Sequence, residues 1–306
     1  FIEDCYNEQK FMKDSDMEES LILDSPAFKE YCIGMKLKHN SWAGICGSDL
    51  IKDKDGIFYV LEDNLRVPSG VSYMLENRTV MKRVFPELFQ HYGVMPVSAY
   101  PDRLYEMLVS MSHTRSKQPE IVLLTPGIYN SAYFEHSYLA KQMGIDIVQG
   151  EDLVVLKDKC VYKKTIEGLI RVDVIYRRID DDFLDPSAGN KDSMLGVVGL
   201  IDSWRNKKVS IINAPGCGIA DDKAVYAYVP DMIRYFLKEE PLLNNLPTLL
   251  MTNKENQSIV SKKFKEFVIK PVAESGGYGI VIGKSASTEV KEKKIKQIKK
   301  DPRNFI

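Results

Sequence analysis

Residues 48–64 read SDLIKDKDGIFYVLEDN, in which two partly apolar runs flank a turn at Asp55-Gly56. An Asp-Gly pair between two such runs is typical of a β-hairpin. Because side chains alternate along a strand, Glu62 and Asn64 should lie on one face, with Asp49 opposite them. Two carboxylates and one amide oxygen suit Mg²⁺, which completes its shell with phosphate oxygens. On these residues alone, an exposed strand with incidental acids stays an open alternative.

A second informative segment, residues 267–279, reads FVIKPVAESGGYG. It predicts an apolar strand that ends at Lys270 and a glycine-rich turn before a return strand at 279–283. The turn residues of interest are Ser275, Gly276, Gly277 and Gly279. One ammonium and several unobstructed backbone N–H groups suit phosphate oxygens. The segment matches neither the Walker A pattern nor GxGxxG, so a plain hairpin turn is an equal alternative.

Two further segments combine turns with charged residues. Residues 213–223 (NAPGCGIADDK) join a predicted strand to a predicted helix, whose N-terminus favours an anion. Residues 176–182 (YRRIDDD) offer arginines that can bind a carboxylate or phosphate through two hydrogen bonds. The alternatives are an ordinary capped connection for the first segment and a surface ion-pair cluster for the second.

The middle of the chain indicates the fold class. An apolar run at 121–124, a helical pattern at 131–143 and a second apolar run at 145–148 predict a β-α-β unit. Such a unit implies a parallel sheet covered by helices, so we predict an α/β (α+β) chain. Further strands are predicted at 173–176 and 209–213, and helices at 79–92, 102–115 and about 221–237.

The charge balance narrows the function classes. The chain has 306 residues, with 42 Lys+Arg against 43 Asp+Glu and a net charge of −1. This balance argues against a dedicated nucleic-acid or membrane-surface binder. The sequence has no apolar stretch of membrane-spanning length and no signal-peptide pattern at its start, so we expect a cytoplasmic protein. Five widely spaced cysteines argue against a zinc site, and no Ser–His–Asp set supports acyl-enzyme chemistry.

Together, these segments resemble the ATP-grasp superfamily, and their order is similar to that of its circularly permuted branch (type 2), relatives of glutathionylspermidine synthetase. In ordinary ATP-grasp ligases the lysine strand and glycine-rich loop come first, and an Asp followed thirteen residues later by Glu-x-Asn comes last. Here Glu62 lies thirteen residues after Asp49, and residues 60–70 (VLEDNLRVPSG) match that ending, yet they precede residues 267–279. The segments 177–183 and 213–223 also resemble signatures of the permuted proteins.

The resemblance implies an ATP site with two Mg²⁺ ions, or Mn²⁺ in their place. The residues that match metal ligands are Asp49, Glu62 and Asn64. Lys270 matches the nucleotide-phosphate lysine, and Lys223 matches the lysine of an earlier Asp-Lys motif. The residues that match the phosphate loop are Ser275, Gly276, Gly277 and Gly279. The candidates for holding the acyl substrate or the transferred phosphate are Arg66, Arg177 and Arg178. Gly47 stands where many unpermuted relatives have an arginine, which leaves the transition-state arginine unassigned.

The implied architecture is a circularly permuted ATP-grasp fold with a parallel-sheet, pre-ATP-grasp-like domain. We expect residues 1–117 to carry the metal-binding hairpin and helices, residues 118–240 to form a Rossmann-like substrate domain, and residues 241–306 to carry the lysine strand and glycine-rich loop. Family members continue after this loop with strands that complete the adenine cleft. The chain is therefore expected to be part of a longer protein.

The implied activity is that of an ATP-dependent carboxylate–amine ligase, which forms a peptide-type bond through an acylphosphate. Its partners would be small-molecule or peptide carboxylates and amines, not nucleic acid or membrane. A catalytically inactive nucleotide-binding or scaffold protein with the same fold is the alternative. A dinucleotide-dependent oxidoreductase built on residues 121–148 is disfavoured because no glycine fingerprint follows the first strand.

Overall fold

The computed structural model describes residues 1–116, 118–273 and 277–306. The strands are β1 (Gly47–Lys52), β2 (Phe58–Asn64), β3 (Ile121–Leu124), β4 (Asp146–Val148), β5 (Leu153–Val155), β6 (Val161–Thr165), β7 (Gly168–Val172), β8 (Val174–Arg177), β9 (Ser210–Ile212), β10 (Asn244–Asn245), β11 (Val268–Ile269) and β12 (Val281–Ile282). The helices are α1 (Ile2–Tyr6), α2 (Lys10–Asp14), α3 (Ser20–Leu23), α4 (Val71–Val84), α5 (Pro86–His91), α6 (Tyr100–Met111), α7 (Tyr133–Met143), α8 (Asp181–Leu184), α9 (Leu200–Arg205), α10 (Lys223–Tyr226), α11 (Val229–Met232), α12 (Lys254–Lys262) and α13 (Thr288–Lys300). Within these described residues, none of the helices could span a membrane.

The chain forms two compact units. Unit 1 comprises Phe1–Lys29, Ser48–Asn64 and Cys217–Ile306, and unit 2 comprises Glu30–Gly47 and Leu65–Gly216. This division differs from the three consecutive segments expected from the sequence. The sequence predicted one domain for the hairpin and helices α4 to α6. These helices belong to unit 2, where α6 packs on the parallel sheet, whereas the hairpin belongs to unit 1.

Unit 2 is built on a sheet with strand order β4-β3-β8-β9, in which all neighbouring strands are parallel. Helix α7 connects β3 to β4, which confirms the predicted β-α-β unit and the α/β class. β3 is buried along its whole length, as its continuous apolar run requires when both faces of a sheet are covered. The core joins this sheet to α6 and α7 through Leu108, Leu123 and Leu139, each fully buried.

Three details of unit 2 differ from the sequence expectation. The helix predicted over 79–92 is two helices, α4 and α5, because Phe85 leaves helical geometry before Pro86 begins the next helix. Helix α6 ends at Met111, four residues before the predicted end. A small antiparallel sheet, β5-β6-β7, was not predicted. Its strand β6 contains two lysines, of which Lys163 is buried between the carboxylates of Glu120 and Asp146.

Unit 1 contains the sheet β1-β2-β10, in which β10 is parallel to β2. β1 and β2 are neighbours joined by a tight turn closed by a hydrogen bond from Asp53 N–H to Ile57 O, as the Asp-Gly pattern predicts. β11 and β12 form the second predicted hairpin. A core of Met251, Val260, Phe264, Ile269 and Ile298 packs α12 and α13 against that hairpin.

Candidate active site

The three metal-ligand candidates lie together on the β1–β2 hairpin of unit 1. Glu62 and Asn64 are two residues apart at the end of β2, so their side chains leave the same face of the strand. The side chain of Asp49, on β1, is hydrogen bonded to those of both Glu62 and Asn64. The hairpin thus brings two carboxylates and one amide into direct contact.

The carboxylates of Asp49 and Glu62 place two like charges next to each other. Partial desolvation, and then the hydrogen bond and negative charge of Glu62, raise the pKa of Asp49, whereas Asn64 and the positive charge of Lys270 act in the opposite direction. Like charges held this close favour a bound cation. Among the described residues no group of three or more His, Cys, Asp or Glu side chains could hold a metal ion. Two carboxylates and an amide nevertheless fit Mg²⁺, which uses few protein ligands when phosphate oxygens complete its shell.

Lys223 contacts the same hairpin. Its Nζ lies 3.0 Å from Glu62 Oε2, and the two side chains are 11% and 19% exposed. Lys223 begins α10, and the preceding residue, Asp222, caps this helix by accepting a hydrogen bond from Ala224 N–H at 2.9 Å. Asp222 also accepts one from the Arg303 guanidinium at 2.6 Å. These contacts fix the Lys223 ammonium beside the metal-ligand candidates.

Lys270 lies next to β11, one residue beyond the end of that strand. Its N–H donates to the Ile306 carbonyl and its carbonyl accepts from Ile306 N–H, both at 3.0 Å, while Pro271 pairs with Phe305. The predicted strand therefore ends at Ile269, and extended pairing continues with the segment at 304–306. The charge of Lys270 acts on Asp49, so the lysine and the carboxylates belong to one site in unit 1.

The glycine-rich turn is partly described. Ser275 and Gly276 lie outside the described residues. Gly277 and Gly279 have φ angles of 78° and 72°, in the left-handed region that favours glycine. A Cβ on Gly279 would lie 2.8 Å from Pro271 Cγ, too close for any other residue without a shift. The sequence pattern therefore identified two positions at which the backbone requires glycine.

Of the three candidate arginines, all in unit 2, Arg66 is the most accessible. Its guanidinium pairs with Asp180 at 2.9 Å, and the two side chains are 37% and 32% exposed. Because about one-third of the Arg66 side chain is exposed, a ligand can reach its guanidinium.

Arg177 is fully buried at the end of β8. It donates to the backbone carbonyls of Asn213, Ile179 and Ala214 at 2.6, 3.0 and 3.2 Å, and it pairs with Asp181 at 2.6 Å. Contact with a substrate would require breaking these bonds inside the protein. The geometry favours a role in holding the carboxyl ends of β8 and β9 together.

Arg178 and Glu135 form a buried pair that holds the turn at 68–70. Arg178 donates to Pro68 O at 2.6 Å and to Ser69 Oγ, and lies 3.3 Å from Glu135 Oε1. The other oxygen of Glu135 accepts from Gly70 N–H at 2.7 Å and from the N–H and hydroxyl of Ser72 at 3.1 and 2.9 Å. The carboxylate thus caps the N-terminus of α4.

The sequence analysis missed Glu135 and its neighbour His136. His136 Nδ1 lies 2.8 Å from Thr125 Oγ1, and desolvation, followed by the charge of Arg178, lowers the pKa of His136 to about 4. A usable signal was present, because both residues stand four positions before apolar residues of α7, Leu139 and Ala140, and therefore fall on its buried face.

Comparison with known proteins places this geometry in a family. The model for circularly permuted ATP-grasp type 2 proteins matches residues 1–306. An uncharacterized protein of Synechocystis sp. is 48% identical over the whole chain, which covers 63% of that relative, and one of Mycobacterium tuberculosis is 45% identical, with 55% covered. A Frankia casuarinae protein named "Putative glutamate--cysteine ligase 2-2" is 38% identical over 313 residues, and the chain covers 35% of it.

The chain thus spans about half to two-thirds of the length of the first two relatives. The family match covers every segment that carries a candidate site residue, from the Asp49 hairpin to the glycine-rich turn. This chain belongs to the circularly permuted ATP-grasp type 2 family.

Proposed function

We propose that this chain provides the nucleotide- and metal-binding residues of an ATP-dependent carboxylate–amine ligase that works through an acylphosphate. The observation that carries the proposal is the Asp49 side chain, which is hydrogen bonded to Glu62 and Asn64 and acted on by the charge of Lys270. Family membership and the name of the Frankia relative support the ligase class.

Asp49, Glu62 and Asn64 are proposed to hold Mg²⁺, as two ions, with Mn²⁺ as a substitute. Bound there, the metal would neutralise phosphate oxygens and stabilise the charge that develops on the transferred phosphoryl group. Partial desolvation, and then the hydrogen bond and negative charge of Glu62, raise the pKa of Asp49. A bound cation would balance the like charge of Glu62, which supports this assignment.

Two lysines and the glycine-rich turn are proposed to bind the nucleotide. Lys270 would contact phosphate oxygens with its ammonium, and Lys223 would orient Glu62 through their 3.0 Å contact. Glycines at 277 and 279 leave backbone N–H groups unobstructed for phosphate. Ser275 and Gly276 complete the proposed loop, whose closure would exclude water from the acylphosphate.

Among the arginines, Arg66 is proposed to bind the acyl carboxylate or the phosphoryl group, because its guanidinium is about one-third exposed. The burial of Arg177 and Arg178 supports a different role from the substrate contact expected from the sequence. Arg177 would position the ends of β8 and β9, and Arg178 would position the turn at 68–70, which begins two residues after Arg66.

In the proposed reaction, a carboxylate oxygen attacks the γ-phosphorus of ATP and ADP leaves. The nitrogen of an amine then attacks the acyl carbon, phosphate departs and an amide forms. No enzyme nucleophile is required, because the phosphoryl group itself activates the carboxylate. The substrates are proposed to be small-molecule or peptide carboxylates and amines, and the Frankia name makes glutamate and cysteine the first pair to try.

The experiment is calorimetric titration of MgATP into the full-length protein, followed by a screen for ADP release with carboxylate and amine pairs. Lys270→Ala should weaken binding at least tenfold, whereas Lys254→Ala, which removes an exposed lysine of unit 1, should leave it unchanged. Absence of MgATP binding in the folded full-length protein would contradict the proposal. Binding without ADP release by any pair would move the assignment to a non-catalytic nucleotide-binding protein.

A further inference from the structure

Helix α13 carries one lysine that differs from its neighbours. Lys293, Lys296, Lys299 and Lys300 are exposed, whereas Lys294 is only 8% exposed and shares the buried face of the helix with Ile298, four residues later. A helix this rich in lysine usually presents its charges to solvent. At the fourth position before a buried isoleucine, however, Lys294 points into unit 1.

The ammonium of Lys294 has two partners there. Nζ donates a hydrogen bond to the carbonyl oxygen of Gly279 at 3.2 Å and lies 4.9 Å from the centre of the Phe305 ring. A cation over an aromatic face is attracted to the ring, more strongly when both are shielded from water. Burial lowers the pKa of Lys294, with a smaller contribution from Lys293.

These partners belong to the two ends of the glycine-rich segment. Gly279 is its last glycine, and Phe305 pairs with Pro271, the residue after Lys270. The two ends also touch each other, because the site of a Cβ on Gly279 lies 2.8 Å from Pro271 Cγ. Lys294 therefore contacts one end of the segment directly and the other through the Phe305 ring.

We infer that Lys294 is a positioning residue: it holds Pro271 and Gly279, two described residues of the glycine-rich segment, next to each other, and so presents Gly277 and Gly279 to the nucleotide phosphates. The inference rests on the proposed function only for the identity of the ligand. The ammonium is buried and contacts a backbone carbonyl and a ring, so its proposed effect on the nucleotide is exerted through the loop.

The test uses Lys294→Met in the full-length protein, which keeps the aliphatic stem and removes the ammonium. The matched control, Lys296→Met, removes the same charge from an exposed position of the same helix. Without the charged hydrogen bond, MgATP should bind roughly tenfold more weakly to Lys294→Met, about 1.4 kcal/mol, and normally to the control. A second variant, Phe305→Leu, should weaken binding about threefold by removing the ring.

A second readout needs no nucleotide. Tyr278, next to Gly279, is 77% exposed, and Tyr129 in unit 2 is 98% exposed. Chymotryptic cleavage after each residue, followed by mass spectrometry, reports local opening near each one. Removal of the Lys294 ammonium should accelerate cleavage after Tyr278 several-fold and leave cleavage after Tyr129 unchanged, whereas general destabilisation would accelerate cleavage at both sites.

The outcomes separate the two proposals. Unchanged MgATP affinity and unchanged cleavage after Tyr278 in Lys294→Met would overturn the positioning role of Lys294 while leaving the proposed nucleotide site intact. Equal acceleration at Tyr278 and Tyr129 would also overturn it, as a general effect on stability. If the wild-type protein does not bind MgATP, the proposed function fails, and the selective change at Tyr278 alone decides whether Lys294 positions the loop.

Discussion

Two groups of charged side chains in this protein differ in charge balance and in burial. On the hairpin of unit 1, Asp49 and Glu62 place two like charges in contact, and Asp49 is exposed to solvent. In unit 2, Glu135 and Arg178 place opposite charges together, both at most 5% exposed and held by backbone and side-chain hydrogen bonds.

The difference separates a candidate ligand site from a structural clamp. A buried opposite-charge pair satisfies itself, and removing one partner leaves an uncompensated charge in the interior. On the hairpin, the Lys223 ammonium lies 3.0 Å from Glu62, and a metal cation bound at the accessible Asp49 would lower the repulsion between the two carboxylates further.

The largest effect on stability is expected at Glu135, the carboxylate of the buried pair in unit 2. Glu135→Gln keeps the shape but leaves the Arg178 guanidinium buried without its carboxylate, which should lower the free energy of unfolding by about 3 kcal/mol. Urea denaturation of the full-length protein measures it. Glu106→Gln is the matched control, because Glu106 pairs with Arg103 at 2.8 Å on an exposed surface of the same unit. A similarly small change in both variants would show that the Glu135 pair is not a clamp.

The next effect concerns the hairpin. Asp49→Asn removes one of two like charges, so metal-dependent affinity for ATP should fall roughly thirtyfold, about 2 kcal/mol, while the melting temperature stays constant or rises. Titration with and without Mg²⁺, beside a thermal melt, measures both quantities. A fall in melting temperature with unchanged affinity would mean that Asp49 is a structural residue like Glu135.

A smaller effect is expected from pH. The pKa of His136 is lowered to about 4 in the folded protein, against about 6.5 for an unperturbed histidine. Below pH 6.5 the unfolded chain therefore binds a proton that the folded chain does not, so stability should be lost between pH 6.5 and 4, by at most about 1.4 kcal/mol per pH unit. Urea midpoints across this range should fall less steeply in His136→Gln. An identical slope in both proteins would assign the loss to other groups.

The smallest effect is expected at Arg66. Its pair with Asp180 is about one-third exposed, and pairs of this kind contribute little because water and salt screen them. Arg66→Ala should change the free energy of unfolding by roughly 0.5 kcal/mol at most in the same urea experiment. A loss as large as that of Glu135→Gln would place Arg66 with the clamp and remove it from the candidate ligand residues.

Local patterns predicted much of this structure. The Asp-Gly turn predicted the β1–β2 hairpin, the two apolar runs predicted β3 and β4, and their spacing predicted a parallel pair. Glycines at 277 and 279 marked positions with positive φ. These features depend on residues close together in the chain, so a single sequence carries enough information to find them.

The remainder depended on contacts between distant residues. Glu135 is buried in contact with Arg178, which lies 43 residues later in the chain. Lys163 is buried in contact with Glu120, which lies 43 residues earlier. No local pattern encodes such a partner. Glu135, His136 and Lys294 nonetheless share one trait, since each stands four residues before a buried apolar residue on its helix. A charged residue on the apolar stripe of a helix is therefore a useful pointer to a buried contact.

The assembly of unit 1 from three separate stretches of chain has a consequence for synthesis on the ribosome. Phe11 in α2 packs against Tyr235 and Phe236, and the Asp49 hairpin shares its unit with Lys270. At 5–20 residues per second, roughly 8 to 30 s pass between the emergence of residue 64 and residue 217. Throughout that interval the first stretches lack their partners, whereas unit 2 can fold as soon as Gly216 emerges. Chaperones that bind apolar nascent segments should therefore engage residues 1–29 and 48–64 longest.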